Sequence, residues 1–199
     1  MTQVLEQKQF TDRLLPWILA VGGAVGLIAA FVLTVEKIAL LRDPGYVPSC
    51  SINPVLSCGS VMKTPQAEAF GVPNPLLGIA GFAVVTAAGV SILAGSRFAR
   101  WFWLGLQAGC VFGVVFVHWL IFQSLYRIEA LCPYCMAVWV VTIPIFWYVT
   151  LHNLRQGSGP WRRAGEILTR YHTVVLIGWY AVIGLAVLQA FWSYWITLL

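Results

Sequence analysis

The run Cys132-Pro133-Tyr134-Cys135 holds the residues of this chain best placed to do chemistry. Two cysteines at this spacing exchange disulfides or bind a metal. Roughly 20 apolar residues follow, enough to cross a bilayer. Proline favours the first position of a helix. That makes Cys132 the expected N-cap and Cys135 the third helical residue. Both sulfurs then lie at the positive end of a helix dipole, which favours thiolate, the attacking species in exchange. A static disulfide or two buried thiols is the plainer alternative. Spacing, proline and location together favour redox chemistry.

A second pair, Cys50 and Cys58, has seven residues between its members, Ser51-Ile52-Asn53-Pro54-Val55-Leu56-Ser57. This stretch is turn-rich, so a small closed loop is feasible. Alone, the pair reads equally as a structural staple or a mobile redox pair. Beside a CxxC on the same face a relay is favoured, because exchange needs a second thiol pair within reach. Zinc is disfavoured by the seven-residue gap and by the distance along the chain between the two halves. The fifth cysteine, Cys110, lies midway along an apolar run and reads as a small buried hydrophobe. His118 is also mid-membrane, and a neutral imidazole bonded to a neighbouring helix is the favoured reading over a functional one. Asn74-Pro75 has the pattern of an N-cap followed by proline, and the Asn74 amide could also reach a ligand beside the CxxC. Trp139, four residues after Cys135, lies on the same helical face one turn deeper. It would form an apolar wall for a ring-shaped acceptor, or simply pack.

The elements that must position these residues follow from composition. The chain has 199 residues, 60% of them hydrophobic and 10% charged. A soluble domain carries about 25% charged residues, so this is an integral membrane protein, and its long apolar runs make an all-α fold the expectation. The formal net charge of +5 is scattered among loops. That suits topology signals rather than a phosphate footprint, so no nucleic-acid partner is expected. Five spans are expected, at about 14–35, 75–94, 101–124, 132–151 and 172–195. Lys8, Arg13, Arg97, Arg100, Arg155, Arg162, Arg163 and Arg170 then fall on one side, and Lys37, Arg42, Lys63 and Arg127 on the other. The positive-inside rule puts the N-terminus in the cytoplasm and the C-terminus outside. The paired cysteines then face an extracytoplasmic compartment where disulfides persist. Trp17, Trp101, Trp161 and Trp195 sit near span ends, as an aromatic belt requires. The expected organisation is a catalytic unit over 1–151 with an outer loop at about 36–74, a flexible cytoplasmic connection over 152–170, and a fifth span within 171–199.

The order of these features resembles the vitamin K epoxide reductase family, in its bacterial disulfide-forming branch without a fused thioredoxin-like domain. The resemblance covers about 36–151. It rests on Cys50 and Cys58 in an outer loop, Ser57-Cys58-Gly59-Ser60, the Gly71-Val72-Pro73-Asn74 approach to span two, and the CxxC heading span four. The disulfide bond protein B family carries its pairs in the reverse order. The resemblance implies a four-helix bundle around a quinone (menaquinone, ubiquinone or phylloquinone), capped by the outer loop, plus a fifth helix. It implies a multi-pass protein of the inner or plasma membrane and a separate extracytoplasmic thioredoxin-fold (DsbA-like) partner. Cys50 would exchange with that partner, Cys58 would pass electrons to Cys132, and Cys135 would face the quinone. Asn74 matches an asparagine that hydrogen-bonds a quinone oxygen. Trp139 falls where animal members carry a tyrosine, which weakens a reading as epoxide reduction. The expected activity is a thiol:quinone oxidoreductase that supports disulfide formation. The rivals are vitamin K epoxide reduction and a non-enzymatic scaffold with structural disulfides.

Overall fold

A computed structural model describes residues 13–196. Lys8 and the outermost ends of the first and last expected segments lie outside the described residues. In chain order the helices are α1 Arg13–Arg42, α2 Cys58–Met62, α3 Asn74–Leu93, α4 Arg100–Ile128, α5 Pro133–Arg155, α6 Pro160–Arg170, α7 His172–Ala190 and α8 Trp192–Ile196. Five of them, α1, α3, α4, α5 and α7, are long and apolar enough to cross a membrane. The fold is all-α, and the protein is a multi-pass membrane protein.

Several boundaries differ from the sequence expectation, each for a local reason. The first span continues through Glu36 and Lys37 to Arg42, so the outer loop begins at Asp43. Both charged residues are buried inside α1 and find partners in the loop above: Ser49 Oγ donates to Glu36 Oε1 at 2.5 Å, and Lys37 pairs with Glu68 Oε1 at 2.9 Å. The third span continues through a π-helical turn, Ser124–Ile128, and ends where Glu129 adopts φ 56°. The expected flexible connection over 152–170 is largely helical. Residues 152–155 complete α5, and α6 packs across its end. A Cβ on Gly165 would meet Leu154 Cβ at 2.9 Å, which shows how close that crossing is. The irregular part is confined to residues 156–159. The fifth span ends at Ala190, and α8 follows after Phe191.

The core of the bundle is α1 packed on α3 and α5, with α4 packed on α5. Lipid tails are as apolar as leucine, so helices associate through close packing rather than a hydrophobic drive. The α1–α3 contact shows this. A Cβ on Gly89 would collide with the Ala20 nitrogen, in the π-helical turn Ile18–Gly22 of α1. Polar clips hold α7. Tyr180 Oη donates to the Val140 carbonyl at 2.6 Å, and Trp179 Nε1 donates to His118 Nε2 at 2.8 Å. An indole N–H only donates, so Nε2 of His118 is the acceptor. The ring proton is then on Nδ1, 2.7 Å from the Val114 carbonyl. The expectation of an imidazole bonded to a neighbouring helix is met.

Candidate disulfide relay and apolar cavity

The loop after α1 brings one cysteine pair to the head of the other. Asn53 Oδ1 accepts the backbone N–H groups of Val55 and Leu56 at 3.0 and 2.7 Å. This Asx turn folds the segment back. Leu131 N–H then donates to the Val55 carbonyl at 2.7 Å, and Ser57 N–H donates to the Leu131 carbonyl at 2.9 Å. The two bonds form a parallel bridge between Leu56 and Leu131. Chain direction does the rest. One residue past Leu131 is Cys132, and two past Leu56 is Cys58. Ser57 caps α2 by accepting the Ser60 N–H at 3.2 Å, which makes Cys58 its first helical residue. Cys132 is the N-cap of α5, with Pro133 at the first helical position and Cys135 at the third, as the spacing implies.

Cys50 and Cys58 form a disulfide, while Cys132 and Cys135 are free thiols. The Cys58 and Cys132 sulfurs are 3.0 Å apart and buried. The sulfurs of Cys50, Cys58 and Cys132 all lie within 4.8 Å of one another. Two of the three are bonded together, so the cluster is a disulfide with a thiol in contact, an exchange geometry rather than three thiolate ligands. The Cys132 thiol titrates below its ordinary range. The main cause is a hydrogen bond from the Cys135 side chain. Burial opposes it, and the backbone N–H groups of Cys135 and Tyr134 at the helix start reinforce it.

Behind Cys135 an apolar cavity of about 580 Å³ lies where α3 and α4 diverge, walled on its other side by α5 and α1. That volume lies in the range of small-molecule sites, about 300–1,000 Å³. Cys132, Cys135, Asn74 and Trp139 all line it. Trp139 sits one turn below Cys135, buried, as an apolar wall. Asn74 is placed differently from the N-cap expectation. It is the first residue of α3, and Pro73 occupies the cap position. Its amide reaches into the loop instead, accepting the Ala69 N–H at 3.0 Å and donating to the Gln66 carbonyl at 2.7 Å. An amide NH₂ has a second hydrogen, so a donor remains for a molecule in the cavity. Cys110 also lines the cavity, deep and buried. Among the described residues it forms no disulfide, which agrees with the small-hydrophobe reading.

Two contributions escape a reading of the sequence. Leu131 aligns the two cysteine pairs through its backbone, so its side chain, buried in the core, carries no signal of that role. Lys37 lines the cavity and ties α1 to the loop. Its signal was available as a Glu-Lys pair followed by the apolar run Ile38-Ala39-Leu40-Leu41, which is charge inside a continuing helix.

A bundle of spanning helices with a disulfide, a dithiol in contact with it and an apolar cavity behind the dithiol defines a membrane thiol–disulfide protein. The profile of the Vitamin K epoxide reductase family matches residues 17–150. The chain belongs to that family, whose members are oxidoreductases. A search of curated proteins returned no match.

Proposed function

We propose that this protein oxidises the dithiol of a separate extracytoplasmic thioredoxin-fold protein and delivers two electrons to a membrane quinone. The observation that carries the reading is the 3.0 Å contact between Cys58 and Cys132, with Cys135 lining an apolar cavity on the far side. The steps balance as follows. A partner thiolate attacks Cys50, breaking Cys50–Cys58 and releasing the Cys58 thiolate. The partner's second thiol resolves the mixed disulfide and frees Cys50. The Cys58 thiolate attacks Cys132 of an oxidised inner pair and displaces the Cys135 thiolate. Cys50 then attacks Cys58, restoring Cys50–Cys58 and leaving Cys132 and Cys135 reduced. That last state has the pairing found here.

Three features support the direction. Cys50 is 6% exposed against 0% for Cys58, and Val47 and Ile52 flank it on the surface, so a protein partner meets Cys50 first. The lowered pKa of Cys132 stabilises the reduced inner pair, which draws electrons inward. The cavity fits a quinone in chemistry: its lining is apolar, with Asn74 retaining one donor and Trp139 as a wall for the ring. A quinone there supplies a two-electron, two-proton sink that lets Cys132–Cys135 close again. Arg13, Arg97, Arg100, Arg155, Arg162, Arg163 and Arg170 cluster at the end of the bundle away from the cysteines. With Lys37 now inside a span, the opposite end keeps Arg42, Lys63 and Arg127. This asymmetry supports a plasma-membrane protein with a cytoplasmic N-terminus and outward-facing cysteines.

The test is a reconstituted assay that couples oxidation of a reduced thioredoxin-fold protein to quinone reduction, with vitamin K epoxide as a parallel substrate. Quinone-dependent oxidation of the partner supports the reading. Turnover of the epoxide alone would replace it with the animal-type reaction, and no turnover of either would leave a structural scaffold.

A further inference from the structure

Among the described residues that line the cavity, Lys37 alone carries a charged side chain. An ammonium has three N–H donors. One reaches the Met62 carbonyl at 2.8 Å, at the end of the short helix that Cys58 begins. Another pairs with Glu68 Oε1 at 2.9 Å. The third has no protein acceptor among the described residues. Asn74, which also lines the cavity, has a similar arrangement. It holds the backbone of the same loop at Gln66 and Ala69 and keeps one donor. A neutral amide therefore suffices to hold the loop. A charged residue inside a membrane span is costly and marks function by default. What the charge adds is an attraction for negative charge in an apolar cavity, where Coulomb interactions are far stronger than in water.

We infer that Lys37 is the electrostatic contact for an oxygen of the acceptor, holding it more tightly as negative charge develops there. The inference rests on the quinone reading of the cavity and names the group that favours the electron-rich form. Glu68 is its counter-charge, and at 40% side-chain exposure it moderates the cavity's preference without lining the cavity.

The experiment measures binding to the purified protein by quenching of tryptophan fluorescence. Two probes of similar shape are compared: neutral 2-methyl-1,4-naphthoquinone, and 2-hydroxy-1,4-naphthoquinone, which is an anion at neutral pH. The intact protein should prefer the anion by about tenfold or more. Lys37→Gln should lose that preference while keeping its affinity for the neutral probe within about threefold. Lys37→Arg should retain the preference. Glu68→Gln leaves Lys37 in place and should raise the preference. The inference is overturned if Lys37→Gln still prefers the anion, if it loses both probes equally, or if Glu68→Gln leaves the preference unchanged or lowers it. Equal binding of both probes by the intact protein would sink the Lys37 role alone. Binding of neither would sink the quinone reading beneath it.

Discussion

At Cys132 a capping position, a neighbouring thiol and a buried contact with Cys58 act on one sulfur. A thiol whose pKa is lowered stays ionised to lower pH and loses reactivity only as pH falls through the lowered value. In a Cys135→Ser variant, which keeps a hydroxyl donor, alkylation of Cys132 should reach half its maximal rate below the ordinary thiol value of about 8.5. Cys135→Ala removes the largest cause and should move that midpoint upward. Rate profiles against pH with a small apolar alkylating agent, which reaches Cys132 through the cavity it lines, read both. Cys132→Ala leaves the outer pair nothing to transfer to, so reduced partner should accumulate in cells, as seen by thiol trapping. Unchanged partner oxidation in that variant would refute the relay. The four paired cysteines, Pro133 and the tryptophan one turn deeper were legible because their meaning is local spacing. The place of Lys37 inside a span could be read from the apolar run after it, but its partners and the loop-holding role of Asn74 could not, because each is defined by groups of a loop segment that only folding brings near.

The elements matter mainly through two devices, the bridge that aligns the cysteine pairs and the close helix packing beneath it. Asn53→Ala deletes both Asx-turn bonds, at a cost of about 1–2 kcal/mol of local order. If that order positions Cys58, transfer between the two pairs should slow about tenfold. Acid-quenched thiol trapping after rapid mixing with a reduced partner measures it, and total stability should change little. Gly89→Ala should act in the opposite sense, on stability rather than chemistry. A methyl forced against the backbone of α1 costs about 1–3 kcal/mol, visible as a lower unfolding temperature in detergent. The apolar runs revealed the five spans, since bilayer thickness fixes their length. Their ends were harder to read. Glu36 and Lys37 resemble a membrane edge until the loop that pairs with them is folded over. Residues 160–170 look like linker because an amphipathic helix lying across the end of α5 keeps its polar residues on the outer face.

For the whole molecule, the four-helix unit and the fifth helix differ in how they are held. The first four spans interlock through glycine-mediated contacts and share the cavity, whereas α7 is held by a few hydrogen bonds and by Ile183 and Val187, which pack with Phe191 on the cluster of Val117, Ile121 and Trp139. Such bonds between membrane helices average about 0.6 kcal/mol. A chain truncated after Arg170, which keeps α6 on α5, should insert, close the Cys50–Cys58 disulfide and transfer electrons between its two pairs. Its thermal stability should fall by the loss of the α7 packing. Alkylation patterns and unfolding temperature of the truncated protein check this, and loss of internal transfer would assign α7 a part in the site. In the sequence, a division between a four-helix unit and a fifth helix is suggested by where the cysteines stop. The contacts that attach α7 were not legible there, because they depend on which faces meet in the folded bundle.

The junction between the two pairs has one more consequence. Cys58 is 0% and Cys132 1% exposed. A joint that dry behaves as an insulated contact in a circuit. A small thiol diffusing past finds no sulfur to touch there, so current cannot short to solvent between the outer and inner pairs. Fidelity of the route is then a matter of shielding, and any substitution that wets this contact should raise leakage to glutathione-sized reductants before it slows the main current.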